Sequence, residues 1–561
     1  MNNGPLIIQS DHSLMLEVQH PNYTEGRDFL VRFAELEKSP EYIHTYRVTP
    51  LSLWNAAALD LSLEDIMGGL ENHARYGIPA NVQTDIREWY STYGKLVLEE
   101  EEDGFLMLSV YDDFIFEQIK QEESIQPFFR KKGKNRFRIL ASHRGDLKHA
   151  LIKIGFPVKD LCGYVQGDNL GIELRNTDAT GAPFQLRDYQ DEAVAAFYHG
   201  GGKSGGNGIV VLPCGSGKTI IGIGTMAAIS NHTLIVTTNN VSVHQWRDEI
   251  LAKTHLAYEQ VGEFTGVSKI IRPVTITTYQ MLTWRKSRQD KFKNLDLFTA
   301  QNWGLIIYDE VHLLPAPVFR ATVGIQAKRR LGLTATLVRE DGKEDDVFAL
   351  IGPKRYDVPW KVLENRGYIA EAYCTEYRLE LPHAEAMIYA HAAKRQQFRI
   401  AAENSRKIEL TKELIALHSD DQILVIGQFI TQVERVAKDL NLPLITGKTK
   451  NVEREKLYNA FRSGAVKVLV VSKVANFAVD LPDATVMIQL SGTYGSRQEE
   501  AQRLGRILRP KKKRSHFYTL VSKGTTEQEF GLKRQLFLVE QGYRYRIQYF
   551  VGGARLSLND G

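Results

Sequence analysis

Seven consecutive residues, Pro213-Cys214-Gly215-Ser216-Gly217-Lys218-Thr219, bring together two glycines, a lysine and a hydroxyl. They follow the apolar run Ile209–Leu212 and precede a helical pattern, so they form a loop between a buried strand and a helix. Glycines let the backbone wrap close to an anion, and the N-terminus of the following helix points unpaired N–H groups at it. Such a loop cradles phosphate. Lys218 would reach the β- and γ-phosphates of a nucleotide, and the Thr219 hydroxyl would ligate Mg²⁺. Cys214 reads as a small filler of the loop and not as a nucleophile.

About ninety residues on, Asp309-Glu310-Val311-His312 follows another apolar run, Leu305-Ile306-Ile307-Tyr308. A carboxylate at the end of a buried strand can hold Mg²⁺ through water, which assigns Asp309 to the metal. The next carboxylate, Glu310, can orient and deprotonate an attacking water. His312 is a candidate for coupling, with a core histidine as the plainer reading. Much later comes Gln502-Arg503-Leu504-Gly505-Arg506-Ile507-Leu508-Arg509, in which Arg506 and Arg509 stand three apart on one helix face. Arginines from a facing domain stabilise charge on a transferring phosphoryl group. In isolation the same stretch is a basic solvated helix.

Elements must hold these groups in place. From residue 209 onward, unbroken apolar runs alternate with helical segments: Ile209–Leu212, Thr233–Thr238, Val274–Thr278, Gly304–Tyr308 and Arg330–Leu333, then Gln422–Ile426, Leu442–Ile445, Lys467–Val471, Val486–Leu490 and His516–Leu520. Runs without alternation suit parallel strands covered on both faces. Two such series predict an α/β chain with two tandem parallel-sheet domains, at 184–358 and 418–545, joined by a helical, charged stretch over 360–417. The first 180 residues read as small α+β modules. Ser62-Leu63-Glu64-Asp65 opens a helix carrying Ile66, Met67 and Leu70. A helix near Thr84–Tyr90 then leads to strands Lys95–Leu98 and Phe105–Val110 around the acidic run 99–103, giving a module over 1–115, winged-helix-like in its order of elements. A second unit over 127–176 has strands at Arg136–Ala141 and Leu170–Arg175 and a helix at Asp146–Ile154.

Composition sets the outer bounds. Of 561 residues, 43% are hydrophobic and 25% charged, ordinary for globular domains, which excludes disorder and disulfide miniproteins. Apolar runs fall short of the roughly 18 residues of a membrane span. The start lacks a secretory pattern, and three scattered cysteines form neither a disulfide framework nor a zinc set; a reduced, cytoplasmic setting is expected. The net charge of +4 is too balanced to name a polyanionic partner. Its distribution says more, since Phe128–Arg138 and Arg506–Arg514 mix cations with apolar residues as phosphate-tracking surfaces do.

Together these motifs resemble superfamily 2 helicases with a DExH box, and specifically the XPB family of DNA repair and transcription helicases. Leu212 stands where a strict P-loop has glycine, a departure usual in helicase-type loops. Leu186-Arg187-Asp188-Tyr189-Gln190 resembles the family's adenine-reading segment, which implies Gln190, with Arg187, at the base. Thr334-Ala335-Thr336 resembles the motif coupling hydrolysis to strand movement, and Arg339-Glu340-Asp341 matches a hallmark of the family. Ser472-Lys473-Val474 through Asp480-Leu481-Pro482 resembles the motif touching nucleotide and DNA. The resemblance extends upstream through Glu35–Pro40 and Thr49–Trp54, and by position the unit at 127–176 stands for the family's damage-recognition domain. The stretch after Trp360 stands where the family has a thumb-like insertion. The implied activity is ATP-dependent, Mg²⁺-requiring DNA unwinding, 3′ to 5′, in a repair setting like nucleotide excision repair. The implied catalytic set is Glu310 with Gln502, Arg506 and Arg509. DNA is the implied partner, with a nuclease beside it. The rival readings are a duplex DNA translocase, an RNA-directed ATPase, and a binding scaffold with a vestigial ATPase.

Overall fold

The computed structural model describes residues 4–550 apart from 41, 178–180, 214, 288–289, 291, 327, 336–343, 359, 473–483, 493–502, 506, 509–513, 541–542 and 544. The chain divides into two compact units. One comprises 1–35, 46–212 and 217–357, and the other 358–561 with the short segments 36–45 and 213–216.

The apolar runs of the first unit build one parallel sheet. Its strands are β1 (Asn207–Val211), β2 (Thr233–Thr237), β3 (Val261–Phe264), β4 (Val274–Thr278), β5 (Leu305–Asp309), β6 (Arg329–Thr334) and β7 (Lys354–Asp357). They lie in the order β3-β4-β2-β5-β6-β1-β7. β1, β2 and β4 are buried at every position, as expected for strands covered on both faces. The register sets Val211 opposite Thr334 and Asp309 opposite Leu333, so β1, β5 and β6 finish together at one edge of the sheet. The carboxyl edge of an open parallel sheet is where ligands bind in this architecture. β3 and β7 escape an apolar-run reading because edge strands tolerate polar residues: Val261-Gly262-Glu263-Phe264 and Lys354-Arg355-Tyr356-Asp357.

The second unit repeats the design with seven described strands, β8 (Ala372–Leu379), β9 (Ile423–Gly427), β10 (Leu444–Ile445), β11 (Val468–Ser472), β12 (Val486–Gln489), β13 (Ser515–Ser522) and β14 (Tyr545–Phe550). Their order, β10-β11-β9-β12-β13-β8-β14, matches the first sheet position for position. One expectation needs correction. The stretch 360–417 does contain helices, at Trp360–Asn365, His383–His391, Lys394–Ala402 and Arg406–Leu417, but β8 inside it is an integral strand between β13 and β14. Its Glu376 and Arg378 disguise it; Glu376 is buried, pairing with Arg378 at 2.8 Å and accepting from the Gln535 amide.

The N-terminal region departs further from expectation. Ser62 does cap the helix Leu63–His73, accepting the Asp65 N–H at 3.0 Å, and Ile66, Met67 and Leu70 are buried beneath it. The second helix runs Ala80–Thr92. The hairpin Leu96–Glu100/Phe105–Val110, however, does not close a module at residue 115. It forms one five-stranded sheet with Phe129–Gly133, Arg136–Leu140 and Lys159–Asp160. A boundary between 115 and 127 therefore divides a sheet, and the winged-helix order of elements does not hold. Leu170–Arg175 is not a strand; among the described residues it makes a single bridge there, Leu174 with Thr254.

A buried charged knot locks this module to the first parallel sheet's domain. Asp160 accepts from Arg144 Nε and Nη2, each at 2.9 Å, and from Lys148 Nζ at 3.0 Å. Lys148 also donates to Gln326 Oε1 at 2.9 Å, after the helix Ala316–Val323. Burial alone would raise the Asp160 carboxyl, but Lys148 and then Arg144 hold it well below the usual range. Asp160→Asn strands two buried cations, so it is expected to lower unfolding free energy by roughly 3–5 kcal/mol. A urea midpoint equal to wild type would show that the knot holds nothing.

Candidate nucleotide site

The phosphate loop is built at the end of β1. Gly215 and Gly217 take φ of +81° and +80°, the left-handed region that a side chain would strain. A Cβ on Gly217 would also stand 2.7 Å from Gln190 Nε2, so the loop passes against that amide only because the position is bare. The Ser216 hydroxyl donates to Pro213 O at 2.6 Å and closes the turn. Leu212, fully buried, donates its N–H to Thr334 O at 3.0 Å, tying the end of β1 to the end of β6. The helix Lys218–Ile229 then starts on Lys218, with Thr219 half-buried beside it. The first turn of a helix directs its N–H groups back toward the preceding segment, here the loop.

Asp309 is the last residue of β5. Its Oδ2 accepts from Trp246 Nε1 at 2.9 Å and from Thr237 Oγ1 at 3.3 Å. Burial first, then the neighbouring Glu310 charge, push this carboxyl above the usual carboxylate range. The indole donor, the Lys218 charge and the Thr237 hydroxyl pull the other way. Glu310 adopts φ +50° and ψ +54°, an uncommon backbone for a residue with a side chain. Its carboxylate lies between two nitrogens, with Lys218 Nζ 3.7 Å from Oε1 and His312 Nδ1 3.6 Å from Oε2. His312 is buried, and its Nδ1 also meets Thr334 Oγ1 at 2.7 Å. The expected groups Lys218, Asp309, Glu310, His312 and Thr334 thus converge at the ends of β1, β5 and β6.

Gln190 is buried on the helix Asp188–Tyr198, where its Oε1 accepts the Arg187 N–H at 3.0 Å. Arg187 itself donates to the Tyr189 hydroxyl at 3.3 Å. The contact of Gln190 with Gly217 brings the upstream segment beside this loop. Cys214, Thr336, Arg339, Glu340, Asp341, Asp480, Gln502, Arg506 and Arg509 lie outside the described residues. Their neighbour Arg503 is fully buried and donates to Gln489 Oε1 at 2.5 Å, fastening its segment to the end of β12.

Thr237 and Trp246 were not foreseen. A threonine ending an apolar run and a tryptophan on the next helix look like core, and only the tertiary fold shows both donating to Asp309.

The residues present fit a nucleotide with Mg²⁺. Two left-handed glycines, one of them with no room for a Cβ, a helix N-terminus and a lysine suit phosphates. One carboxylate, Asp309, with one hydroxyl, Thr219, suits Mg²⁺, which keeps several waters and takes phosphate oxygens for the remainder.

Three family models match parts of the chain. The ERCC3/RAD25/XPB C-terminal helicase family matches residues 363–553, and the res subunit of type III restriction enzymes matches 183–339. A helicase conserved C-terminal domain family matches residues 6–132, which here is the N-terminal end. The DNA 3′-5′ helicase XPB of Kineococcus radiotolerans is 48% identical over 550 residues, covering 98% of this chain and 97% of its own. That of Mycobacterium tuberculosis is 47% identical, covering 98% of each chain. The general transcription and DNA repair factor IIH helicase/translocase subunit XPB of Enterocytozoon bieneusi is 35% identical, covering 97% of this chain and 92% of its own. Among solved structures, the Hef helicase domain of Pyrococcus furiosus is 14% identical over 63% of this chain and 98% of its own, with a TM-score of 0.44. Identity near one half, sustained from end to end of both chains, means that the chain belongs to the XPB family of helicases.

Proposed function

We propose that this chain is an ATP-driven DNA helicase that moves 3′ to 5′ and opens duplex DNA for repair, as in nucleotide excision repair. The observation that carries the reading is the convergence of Lys218, Asp309 and Glu310 at one sheet edge, in a chain whose full length aligns with relatives named DNA 3′-5′ helicase XPB. Membership of a helicase family implies nucleotide use and DNA binding. ATP and Mg²⁺ are the finer assignment.

In this reading the loop amides of residues 213–219 and the Lys218 ammonium bind the phosphates, and Gln190 and Arg187 hold the base. Thr219 and Asp309 would hold Mg²⁺, which would neutralise charge on the phosphate oxygens. Glu310 takes a proton from the attacking water at one carboxylate oxygen. Lys218 and Glu310 now face each other at 3.7 Å; phosphate drawing the ammonium away leaves Glu310 free to act as the base. The His312–Thr334 hydrogen bond is a mechanical link from the catalytic carboxylate to β6 and the Thr334-Ala335-Thr336 motif. Arg506 and Arg509, with Gln502, are assigned to the phosphoryl charge, and Asp480 to coupling with DNA.

Phosphate contacts dominate in such binding, so affinity should fall with salt and depend little on sequence. The hairpin Phe129–Gly133/Arg136–Leu140 exposes Arg130, Lys134 and Arg136 and supports a DNA-tracking role for the basic run. The domain assignments 184–358 and 418–545 for the two ATPase halves belong to the same proposal. So do a cytoplasmic setting and a partner nuclease, the latter resting on family resemblance alone. No helix among the described residues is long and apolar enough to cross a membrane.

ATPase activity measured without DNA and with single-stranded, duplex and forked DNA tests the reading, together with strand displacement on DNA and RNA duplexes. Stimulation by DNA and unwinding of forks with a 3′ tail are the expected results. Turnover without unwinding would make the chain a translocase, and stimulation by RNA alone would overturn the DNA assignment. Arg339, Glu340 and Asp341 are assigned to strand opening, so replacing all three with alanine should lower fork unwinding far more than it lowers ATPase. Equal losses would point to a folding defect.

A further inference from the structure

The first sheet's domain contains a contact between its two nucleotide motifs that neither motif accounts for. Trp246 sits on the helix Asn240–Lys253, is only 2% exposed, and meets both motifs. Its indole N–H donates to Asp309 Oδ2 at 2.9 Å. The far end of its ring lies against Gly222, where a Cβ would meet Trp246 Cη2 at 2.4 Å. Gly222 is four residues after Lys218 on the same helix, hence on the same side one turn along. One rigid side chain therefore spans from the helix that presents Lys218 to the carboxylate that ends β5. Thr237 Oγ1 donates to the same oxygen at 3.3 Å from β2. Two donors from two elements on one oxygen fix the rotation of the carboxylate. Among the described residues, the other oxygen, Oδ1, accepts no side-chain hydrogen bond.

We propose that Trp246, seconded by Thr237, is a positioning residue that holds the Asp309 carboxylate in the orientation that presents Oδ1 to hydrated Mg²⁺, at a distance from Lys218 set by the indole's seat on Gly222. The assignment rests on the reading of Asp309 as the Mg²⁺-holding group. A large aromatic ring with its single donor spent on a carboxylate, seated where only glycine fits, is more specific than core packing requires.

The test is Mg²⁺-dependent binding of a fluorescent ATP analogue, which needs no turnover, compared for wild type, Trp246→Phe, Thr237→Val and Asp309→Asn. Phenylalanine removes the donor and also gives up the ring edge seated on Gly222, whereas Thr237→Val removes a donor alone. Loss of a hydrogen bond that orients a metal-binding group lowers metal affinity by about 10- to 100-fold. Trp246→Phe should therefore raise the Mg²⁺ midpoint by about that factor, and binding in EDTA should stay within about twofold of wild type. Thr237→Val should shift the midpoint the same way by less, which keeps the proposal open to test if the phenylalanine variant folds poorly. An unchanged midpoint in Trp246→Phe while Asp309→Asn shifts would overturn the role of Trp246. So would equal losses with Mg²⁺ and with EDTA, which signify packing alone. If Asp309→Asn itself leaves the midpoint unmoved, Asp309 does not hold the metal, and the proposal falls with that reading.

Discussion

Lys218→Ala is expected to reduce ATP turnover to background, a loss of at least about 10³-fold, in a chain that remains folded. The lysine opens a helix, at a position where alanine is an excellent helix former, and its largely buried side chain meets Glu310 at 3.7 Å. Little of the fold depends on it. What disappears is the one cation that the phosphate loop presents, in a site walled by buried strand ends where a fixed charge is worth far more than in water. Removing a single preorganised donor from such a site already lowers turnover by about 10²–10³-fold, and here a full charge is removed. Turnover by coupled assay and a thermal melt, measured on the same preparation, decide it. Near-normal turnover with a wild-type melt would remove the loop from the nucleotide site.

Glu310→Gln separates binding from chemistry. The amide keeps the shape of the carboxylate but cannot take a proton, so turnover should fall by roughly two to four decades, the scale of losing a general base. Nucleotide affinity should survive. The analogue should still bind with Mg²⁺ near the wild-type midpoint. Because Lys218 and His312 stand on either side of the carboxylate at 3.7 and 3.6 Å, the substitution also removes a local ion pair. A loss of affinity together with turnover would recast Glu310 as a group that positions Lys218.

The placement of the 213–219 loop and of the Asp309-Glu310 pair at strand ends was readable because each is a local signal, a fixed run of residue types. The central strands were readable for a related reason: burial on both faces leaves an unbroken apolar mark, as in Thr233–Thr237 and Val468–Ser472. What escaped was set by distant partners. β8 carries Glu376 and Arg378, which satisfy each other inside the fold and so break the apolar pattern. The pairing of Phe105–Val110 with Arg136–Leu140 joins segments that read as separate modules, since no local cue states which strand will lie beside which. Trp246 looked like any core tryptophan, and its hydrogen bond to a residue 63 positions away is a property of the fold alone. The arginines at 506 and 509 rest on their spacing and the family resemblance.

The shared N-terminal sheet also governs how the chain can be cut. A recombinant fragment beginning at residue 127 would keep Arg136–Leu140 but lose the strand beside it. Phe137 and Ile139, both fully buried, would lose their cross-strand neighbours Leu108 and Leu106. The bare backbone of that strand would become a sticky edge, open to pairing with another chain. Fragments meant to isolate the basic hairpin should therefore start before Leu96, so that aggregation is not mistaken for an intrinsic property of the hairpin.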